Sequence, residues 1–191
     1  PMVPAPTAYE QMCAAGNYTE PGTGDCKKCD TGTYSDTVGA YLGSLCTSCA
    51  AGTYNNNTGA TVCLECEPGT YSSMDGATEC TSCSAGTYST EEGASLKSTC
   101  TSCDPGTYSE AGAFSCQPCL AGTFSPEPGA DECFSCFYGT YSSTVGASSR
   151  STCKDCLAGK YSEMVYGSST CTSCVAGEFS NIVQAYSSDT C

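Results

Sequence analysis

The cysteines are the residues of this chain whose type and spacing could carry chemistry. Twenty cysteines occur in 191 residues, and they delimit a unit that repeats ten times. Each unit has the form Cys-x-x-Gly, then an aromatic residue two positions later, usually a Gly-Ala pair, and a closing cysteine. Two residues separate a closing cysteine from the next opening one, which produces nine Cys-x-x-Cys motifs. Such motifs could be redox centres, zinc ligands or junctions between disulfide-bonded modules.

These three interpretations differ in how many cysteines they use. Pairing within each Cys-x-x-Cys motif leaves Cys13 and Cys191 without partners, and zinc sites built from adjacent motifs leave one motif and both terminal cysteines over. Pairing the opening with the closing cysteine of each unit uses all twenty and is favoured on that ground, although sequence alone leaves the connectivity open. It predicts the disulfides Cys13–Cys26, Cys29–Cys46, Cys49–Cys63, Cys66–Cys80, Cys83–Cys100, Cys103–Cys116, Cys119–Cys133, Cys136–Cys153, Cys156–Cys171 and Cys174–Cys191.

The sequence lacks the residues on which several kinds of catalytic chemistry depend. The chain contains no histidine, the commonest general base and metal ligand. It has no phosphate-binding loop and no EF-hand loop, and Cys-x-x-Cys redox catalysis needs a βαβ context that a helix-poor repeat does not supply. We therefore expect no enzymatic activity, no catalytic or metal-binding residues and no cofactor. Calcium between modules is the one ion that the scattered carboxylates leave open.

The composition indicates an extracellular, disulfide-stabilised protein. Leu, Ile, Val and Phe make up about a tenth of the chain and the net charge is -14, a combination that would otherwise predict disorder. Cysteine at this density predicts a disulfide scaffold, which persists where thiols are oxidised. Six Lys and Arg residues argue against nucleic-acid binding, and no apolar run approaches a membrane span. No signal peptide is present, so we expect a removed targeting segment or a fragment.

Glycine and aromatic residues keep step with the cysteines. The glycine of each Cys-x-x-Gly predicts a positive φ or a close backbone approach, and the following Gly-Thr-Tyr-Ser string favours a short strand. The aromatic residues are expected to pack as a structural ladder rather than to bind ligand, because Phe replaces Tyr in two units. Units two, five, eight and ten carry extra residues before the closing cysteine. The ladder comprises Tyr18, Tyr34, Tyr54, Tyr71, Tyr88, Tyr108, Phe124, Tyr141, Tyr161 and Phe179.

The repeat divides the chain into ten modules behind an extended, proline-rich N-terminal arm at residues 1–12. Modules 1 to 10 span residues 13–28, 29–48, 49–65, 66–82, 83–102, 103–118, 119–135, 136–155, 156–173 and 174–191. Two Asn-x-Thr sequons make Asn17 and Asn56 candidates for N-glycosylation. The expected fold class is small and disulfide-rich, an elongated tandem-repeat rod of short-β, loop-rich modules with one disulfide each.

The motif Cys-x-x-Gly-Thr-Tyr-Ser…Gly-Ala…Cys-x-x-Cys resembles the ephrin-receptor-like cysteine-rich repeat over residues 13–191. It is also similar to the first module of tumour-necrosis-factor-receptor cysteine-rich domains. This resemblance implies small modules that stack into rods and that bridge opening to closing cysteine. The second, doubly bridged module of those receptors is missing, so ligand binding of their kind is not expected. Uninterrupted arrays of this repeat look most like surface and filament proteins of protists and algae, including flagellar mastigonemes.

Two functions follow from these expectations. The first is a non-catalytic extracellular structural protein whose rods self-associate head to tail into a homopolymeric filament or cell-surface appendage, with its sequons as candidates for covalent glycans. The alternative is a receptor or adhesion ectodomain that binds a protein or glycan ligand. A heterologous contact would give an open filament, whereas a receptor stalk would stay monomeric.

Overall fold

The computed structural model describes residues 12–163 and 167–191. The predicted N-terminal arm therefore lies outside the described residues except for Met12. The strands are β1 (Asn17–Thr19), β2 (Cys26–Lys28), β3 (Thr33–Tyr34), β4 (Thr47–Ser48), β5 (Thr53–Tyr54), β6 (Leu64–Glu65), β7 (Thr70–Tyr71), β8 (Thr81–Ser82), β9 (Thr87–Tyr88), β10 (Thr101–Ser102), β11 (Thr107–Tyr108), β12 (Gln117–Pro118), β13 (Thr123–Phe124), β14 (Phe134–Ser135), β15 (Thr140–Tyr141), β16 (Lys154–Asp155), β17 (Lys160–Tyr161) and β18 (Thr172–Ser173).

Modules 1 to 9 are each built on a minimal antiparallel hairpin. Strand β3 pairs with β4 so that Tyr34 lies opposite Thr47, and β13 pairs with β14 so that Phe124 lies opposite Phe134. The second strand of each hairpin is the two-residue linker between a closing and an opening cysteine. An extended linker holds the two flanking Cα atoms about 10 Å apart, beyond the reach of a disulfide. The Cys-x-x-Cys spacing thus follows from hairpin geometry and not from redox function.

A short turn joins the opening cysteine to its strand, and the threonine of Gly-Thr-Tyr-Ser stabilises it. Thr33 donates both its backbone N–H and its hydroxyl to the carbonyl oxygen of Asp30, at 3.1 and 2.7 Å. Thr107 makes the same two bonds to Asp104. The glycine before each threonine supplies the positive φ that this turn needs, as at Gly32 with φ 76°. Turn and strand are therefore specified by adjacent residues.

Ten disulfides use all twenty cysteines, every one of which lies in the described part of the chain. In each module the bridge joins the opening to the closing cysteine across 13 to 17 positions. The opening cysteines of modules 1 to 9 are among the most deeply buried residues, together with alanines and serines. The predicted small, disulfide-rich, short-β fold with one disulfide per repeat is confirmed, and the elongated rod stays a prediction.

The extra residues of the long modules form 3-10 turns immediately before the closing cysteine. These turns span Gly43–Leu45, Lys97–Thr99, Arg150–Thr152 and Ser188–Thr190, in modules 2, 5, 8 and 10. In module 8 the turn is capped by Ser149, whose Oγ accepts a hydrogen bond from the Ser151 N–H at 3.2 Å. The insertion thus lengthens the loop without displacing the disulfide.

The chain divides into two compact units. Unit 1 comprises the described part of Pro1–Thr81 together with Glu91–Lys97, and unit 2 comprises Ser82–Thr90 and Ser98–Cys191. Within each unit successive modules contact one another through the same backbone hydrogen bonds.

Candidate functional site

The cysteines are held in a form that excludes thiol chemistry. A disulfide sulfur is neither a thiolate nucleophile nor a thiolate metal ligand, and all twenty cysteines are oxidised. Across residues 12–163 and 167–191, no cluster of three or more Cys, Asp or Glu side chains is placed to hold a metal ion. The expectation of no cofactor, with calcium between modules left open, stays a prediction. The surfaces with functional potential are those where modules meet and those open to solvent.

One carboxylate has a perturbed proton affinity. The backbone N–H of Ser188 donates to Glu163 Oε1 at 2.6 Å, and this bond, with a further one from the Ser188 side chain, lowers the pKa of Glu163. Burial opposes the shift only weakly, because the group is exposed. The hydrogen bond ties module 9 to the 3-10 turn of module 10. It is a structural contact rather than an acid–base centre.

Consecutive modules are joined by a repeated set of four backbone hydrogen bonds. In unit 2, the Gly106 N–H of module 6 donates to the Ser125 carbonyl of module 7 at 2.8 Å, and the Cys119 N–H donates back to the Gly106 carbonyl at 2.9 Å. Ser125 in turn donates to the Ala147 carbonyl of module 8 at 2.9 Å, and the Gly146 N–H donates to the Cys119 carbonyl at 2.7 Å. The contact therefore propagates from module to module.

Unit 1 contains the same contact with different residues. The Gly16 N–H donates to the Ser35 carbonyl at 2.7 Å, the Cys29 N–H to the Gly16 carbonyl at 2.9 Å, and the Ser35 N–H to the Ala60 carbonyl at 3.0 Å. In both units the surface that a module presents to its successor differs from the surface it presents to its predecessor. This is a heterologous contact in the sense used for subunit interfaces.

The two recurring glycine positions of the repeat meet each other two modules apart. A Cβ atom at Gly16 would overlap the carbonyl oxygen of Gly59, and one at Gly106 would overlap that of Gly146. Both positions also have a positive φ, 81° at Gly16 and 86° at Gly106. Backbone conformation and lack of space therefore both favour glycine there. The Cys-x-x-Gly glycine thus serves both the turn and the contact with the second module along.

The predicted aromatic ladder lies at the module boundaries. Most of its tyrosines are half-buried, Phe124 is buried and Phe179 is exposed. The backbone of six ladder residues forms a parallel bridge with the alanine position of the next module, as in Tyr34↔Ala60 and Phe124↔Ala147. The aromatic residues therefore border the contact but do not form its centre.

Sequence reasoning missed the residue that does occupy the centre. The residue after the aromatic one is serine in eight modules, with Thr19 in module 1 and Asn55 in module 3, and all eight of these serines are buried. Ser125 is fully buried, and both its N–H and its carbonyl bond to neighbouring modules. Its recurrence in eight of the ten modules was the available signal. A small side chain is required there because two modules close over it.

Module 10 departs from the Gly-Ala rule without losing the contact. Gln184 takes the place of the glycine, with φ 63°, and its N–H donates to the Cys156 carbonyl at 2.9 Å. The following Ala185 accepts from the Ser162 N–H at 3.0 Å. The contact geometry therefore imposes a left-handed backbone even where the residue is not glycine.

The two sequons occupy different environments. Asn17 stands where other modules have the turn threonine, and its Nδ2 donates to the carbonyl oxygens of Ala14 and Ala15, each at 3.2 Å. Asn56 is exposed in the loop after β5, where its Oδ1 accepts from Asn57 Nδ2 at 2.7 Å. An oligosaccharide must attach to Nδ2, which is engaged in the turn at Asn17.

Comparison with known proteins identifies the repeat. Three segments, residues 39–78, 94–131 and 106–153, match the family described as tyrosine-protein kinase ephrin type A/B receptor-like. Together they cover slightly more than half of the chain, and the chain belongs to this family of ephrin-receptor-like cysteine-rich repeats. No curated protein matches the chain.

The family and the disulfides define the class of protein. Ephrin-receptor-like repeats are a non-catalytic, extracellular ectodomain type, and ten disulfides require an oxidising compartment. The chain is therefore an extracellular, disulfide-rich repeat protein. Among the described residues, no helix has the length and apolarity needed to cross a membrane.

Proposed function

We propose that the chain is a non-catalytic structural protein of an extracellular filament or surface appendage, comparable to a mastigoneme. Its copies associate head to tail into a homopolymer. The heterologous contact between modules supports this proposal, because each module binds its successor through a surface that differs from the one bound by its predecessor. The same kind of contact between modules of two chains would not close on itself, and it would extend as a fibre.

Electron microscopy of the secreted, non-reduced protein tests this proposal. Uniform fibres whose amount rises with protein concentration are expected. Sedimentation of the same sample should show a concentration-dependent series of species. Dispersed particles of one size at all concentrations would contradict head-to-tail assembly.

The alternative function is a monomeric receptor or adhesion ectodomain. The match to the ephrin-receptor-like family favours it, since that repeat is an ectodomain type. In that case sedimentation would give a single species, and the chain would bind a protein or glycan ligand. The same two measurements thus separate the two functions.

We further propose that any N-linked glycan is attached at Asn56 and not at Asn17. Asn56 is exposed, whereas the Asn17 amide is hydrogen-bonded in its turn. Peptide mapping after enzymatic release of N-glycans should find the released site at Asn56, and Asn56→Gln should remove the mass shift. A glycan at Asn17 would contradict the proposal.

A further inference from the structure

The ten modules provide an internal comparison of what the scaffold needs. The residue after a closing cysteine is Thr in four linkers, Thr47, Thr81, Thr101 and Thr172, but Phe134 before module 8. The two residues after the opening cysteine of module 8 are Phe137 and Tyr138. In every other module neither of these two residues is aromatic. The chain's single arginine, Arg150, lies in the same module. None of these four residues is required by the fold.

The structure brings the four departures together. They line an open cleft of about 460 Å³ at the boundary of modules 7 and 8, with Phe124, Phe134, Ser135, Phe137, Tyr138 and Arg150 in its walls. The rings of Phe124 and Phe134 lie 6.0 Å apart at 41°. The Arg150 guanidinium lies over the Phe137 ring, 4.4 Å from its centre. We call this the aromatic–arginine cleft.

The hairpin and the insertion position these side chains. Phe134 is held opposite Phe124 by the β13–β14 register, and buried Phe124 forms the floor. Phe137 and Tyr138 occupy the turn that follows the linker. Arg150 begins the 3-10 turn that the inserted residues of module 8 create. Strand pairing and a capped turn therefore preorganise the cleft.

The cleft exposes aromatic side chains to solvent, and this exposure does not stabilise the chain itself. Phe134 and Phe137 are each 57% exposed and Tyr138 is 54% exposed. Single exposed apolar residues are ordinary, whereas contiguous exposed apolar surface with polar groups at its rim is a candidate binding site. Aromatic residues and arginine are also the types enriched at the centres of protein–protein interfaces.

The positive charge of Arg150 favours a partner that carries a carboxylate. Within residues 12–163 and 167–191, the only interaction the structure gives the Arg150 guanidinium is the stacking on Phe137. With no described acceptor on its N–H groups, the guanidinium can bind a carboxylate in a fork. The net charge of -14 repels an acidic partner at long range, but this repulsion is screened beyond about 8 Å at physiological salt.

The few polar groups of the cleft favour a polypeptide over a saccharide. Beside Arg150, only Ser135 and the Tyr138 hydroxyl offer hydrogen bonds among the lining side chains. A saccharide carries hydroxyl groups on most of its carbons, and burying them unpaired is costly. We propose that the aromatic–arginine cleft binds an acidic polypeptide segment in which a large apolar side chain neighbours a carboxylate. The apolar side chain fills the aromatic walls and the carboxylate pairs with Arg150.

Fluorescence anisotropy with a labelled peptide, Gly-Ser-Glu-Phe-Glu-Glu-Ser-Gly, tests this site on the full, oxidised chain. Binding with a Kd below about 1 mM at physiological salt is expected. The triple variant Phe134→Thr, Phe137→Ala and Tyr138→Ala carries the residues found at the junction of modules 2 and 3, namely Thr47, Ala50 and Ala51. Because the same hairpin forms there, the variant should fold and keep its disulfides while binding at least tenfold more weakly.

Two further arms separate charge from apolar contact. Arg150→Gln should weaken the acidic peptide at least tenfold and leave unchanged the weaker binding of a peptide with Gln in place of Glu. Phe114→Ser removes an exposed aromatic residue outside the cleft and should change nothing. The proposal is overturned if the acidic peptide does not bind at about 1 mM, if the triple variant binds it equally well, or if oligogalacturonate binds the cleft in its place. None of these outcomes depends on filament assembly.

Discussion

At the scale of single residues, glycine decides whether two modules two positions apart can approach each other. Gly106 combines a φ of 86° with a carbonyl oxygen where its Cβ would lie. Gly159 has a similar φ of 79°, but no atom of the described residues lies within 4 Å of its Cβ position. The pair therefore separates backbone conformation from close packing.

Replacing these two glycines by alanine should have unequal effects. Gly159→Ala incurs only the left-handed conformation, which costs about 1 to 2 kcal/mol. Gly106→Ala should cost about 3 kcal/mol, because overlap with the Gly146 carbonyl adds to that penalty. Denaturant unfolding with disulfides intact measures both losses. Equal losses would show that packing between modules does not limit residue choice.

Gln184 is the one described non-glycine residue with positive φ, at 63°. Gln184→Gly should increase the free energy of unfolding of module 10 by about 1 kcal/mol, because the strain is removed. The lost hydrogen bond from Gln184 Nε2 to Asp155 Oδ1 at 2.7 Å is exposed and offsets little. Hydrogen exchange of the Ser162 amide, which donates to Ala185, reports the change. Gln184→Ala keeps the strain, and if it stabilised the module as much as glycine does, strain would not be the cause.

At the scale of the element, each disulfide closes one loop and supports one hairpin. Cys103 and Cys116 close module 6 across 13 positions, and the buried Cys103 accepts a hydrogen bond from the Gly129 N–H at 2.8 Å. A bridge of this size restricts the unfolded chain, and a module in a repeat array is coupled mainly to its neighbours. The effect of losing one bridge should therefore be large but local.

Removing both cysteines of module 6 with Cys103→Ala and Cys116→Ala should cost about 3 kcal/mol. Faster hydrogen exchange is expected in module 6 and its contacting modules, with distant modules of unit 2 unchanged. Phe114→Ser in the same module is the control and should change stability by less than about 0.5 kcal/mol. Uniform loss of protection throughout unit 2 would show that the array unfolds as one cooperative body.

At the scale of the whole molecule, covalent bridges replace an aliphatic core. Leu, Ile, Val and Phe form about a tenth of the chain, and many of them are exposed. The buried positions are instead cysteines, serines and alanines, which contribute little apolar area each. Stability must therefore depend on the oxidised state.

Reduction of the disulfides should unfold the chain, whereas chelation of metal ions should not. Full reduction should abolish the folded state, because the remaining apolar burial cannot offset the conformational entropy of the chain. Chelators should leave it unchanged, since the cysteine sulfurs are in disulfides. Circular dichroism and protease resistance before and after each treatment measure this. Unfolding by a chelator would instead indicate a structural metal ion.

Much of the architecture could be predicted because the repeat compares the chain with itself. The disulfide-rich class, the short strands and the family follow from spacings that recur ten times. Prediction was weaker for Asn17 and Asn56, because a sequon carries no sign of whether its amide is engaged in a turn. The central role of the buried serine was also missed, since serine is ordinarily a surface residue.

The sequence by itself determined the period, the hairpins and the oxidised extracellular class, because each depends on residues within one module or at its junction. Only the tertiary structure decided what meets across modules. It placed Gly106 against Gly146, forced Gln184 into the left-handed region and gathered Phe134, Phe137 and Arg150 around one cleft. These contacts depend on the direction in which one module stacks on the next. Hydrogen bonds and packing between modules set this direction, and the spacing of residues within a module does not encode it.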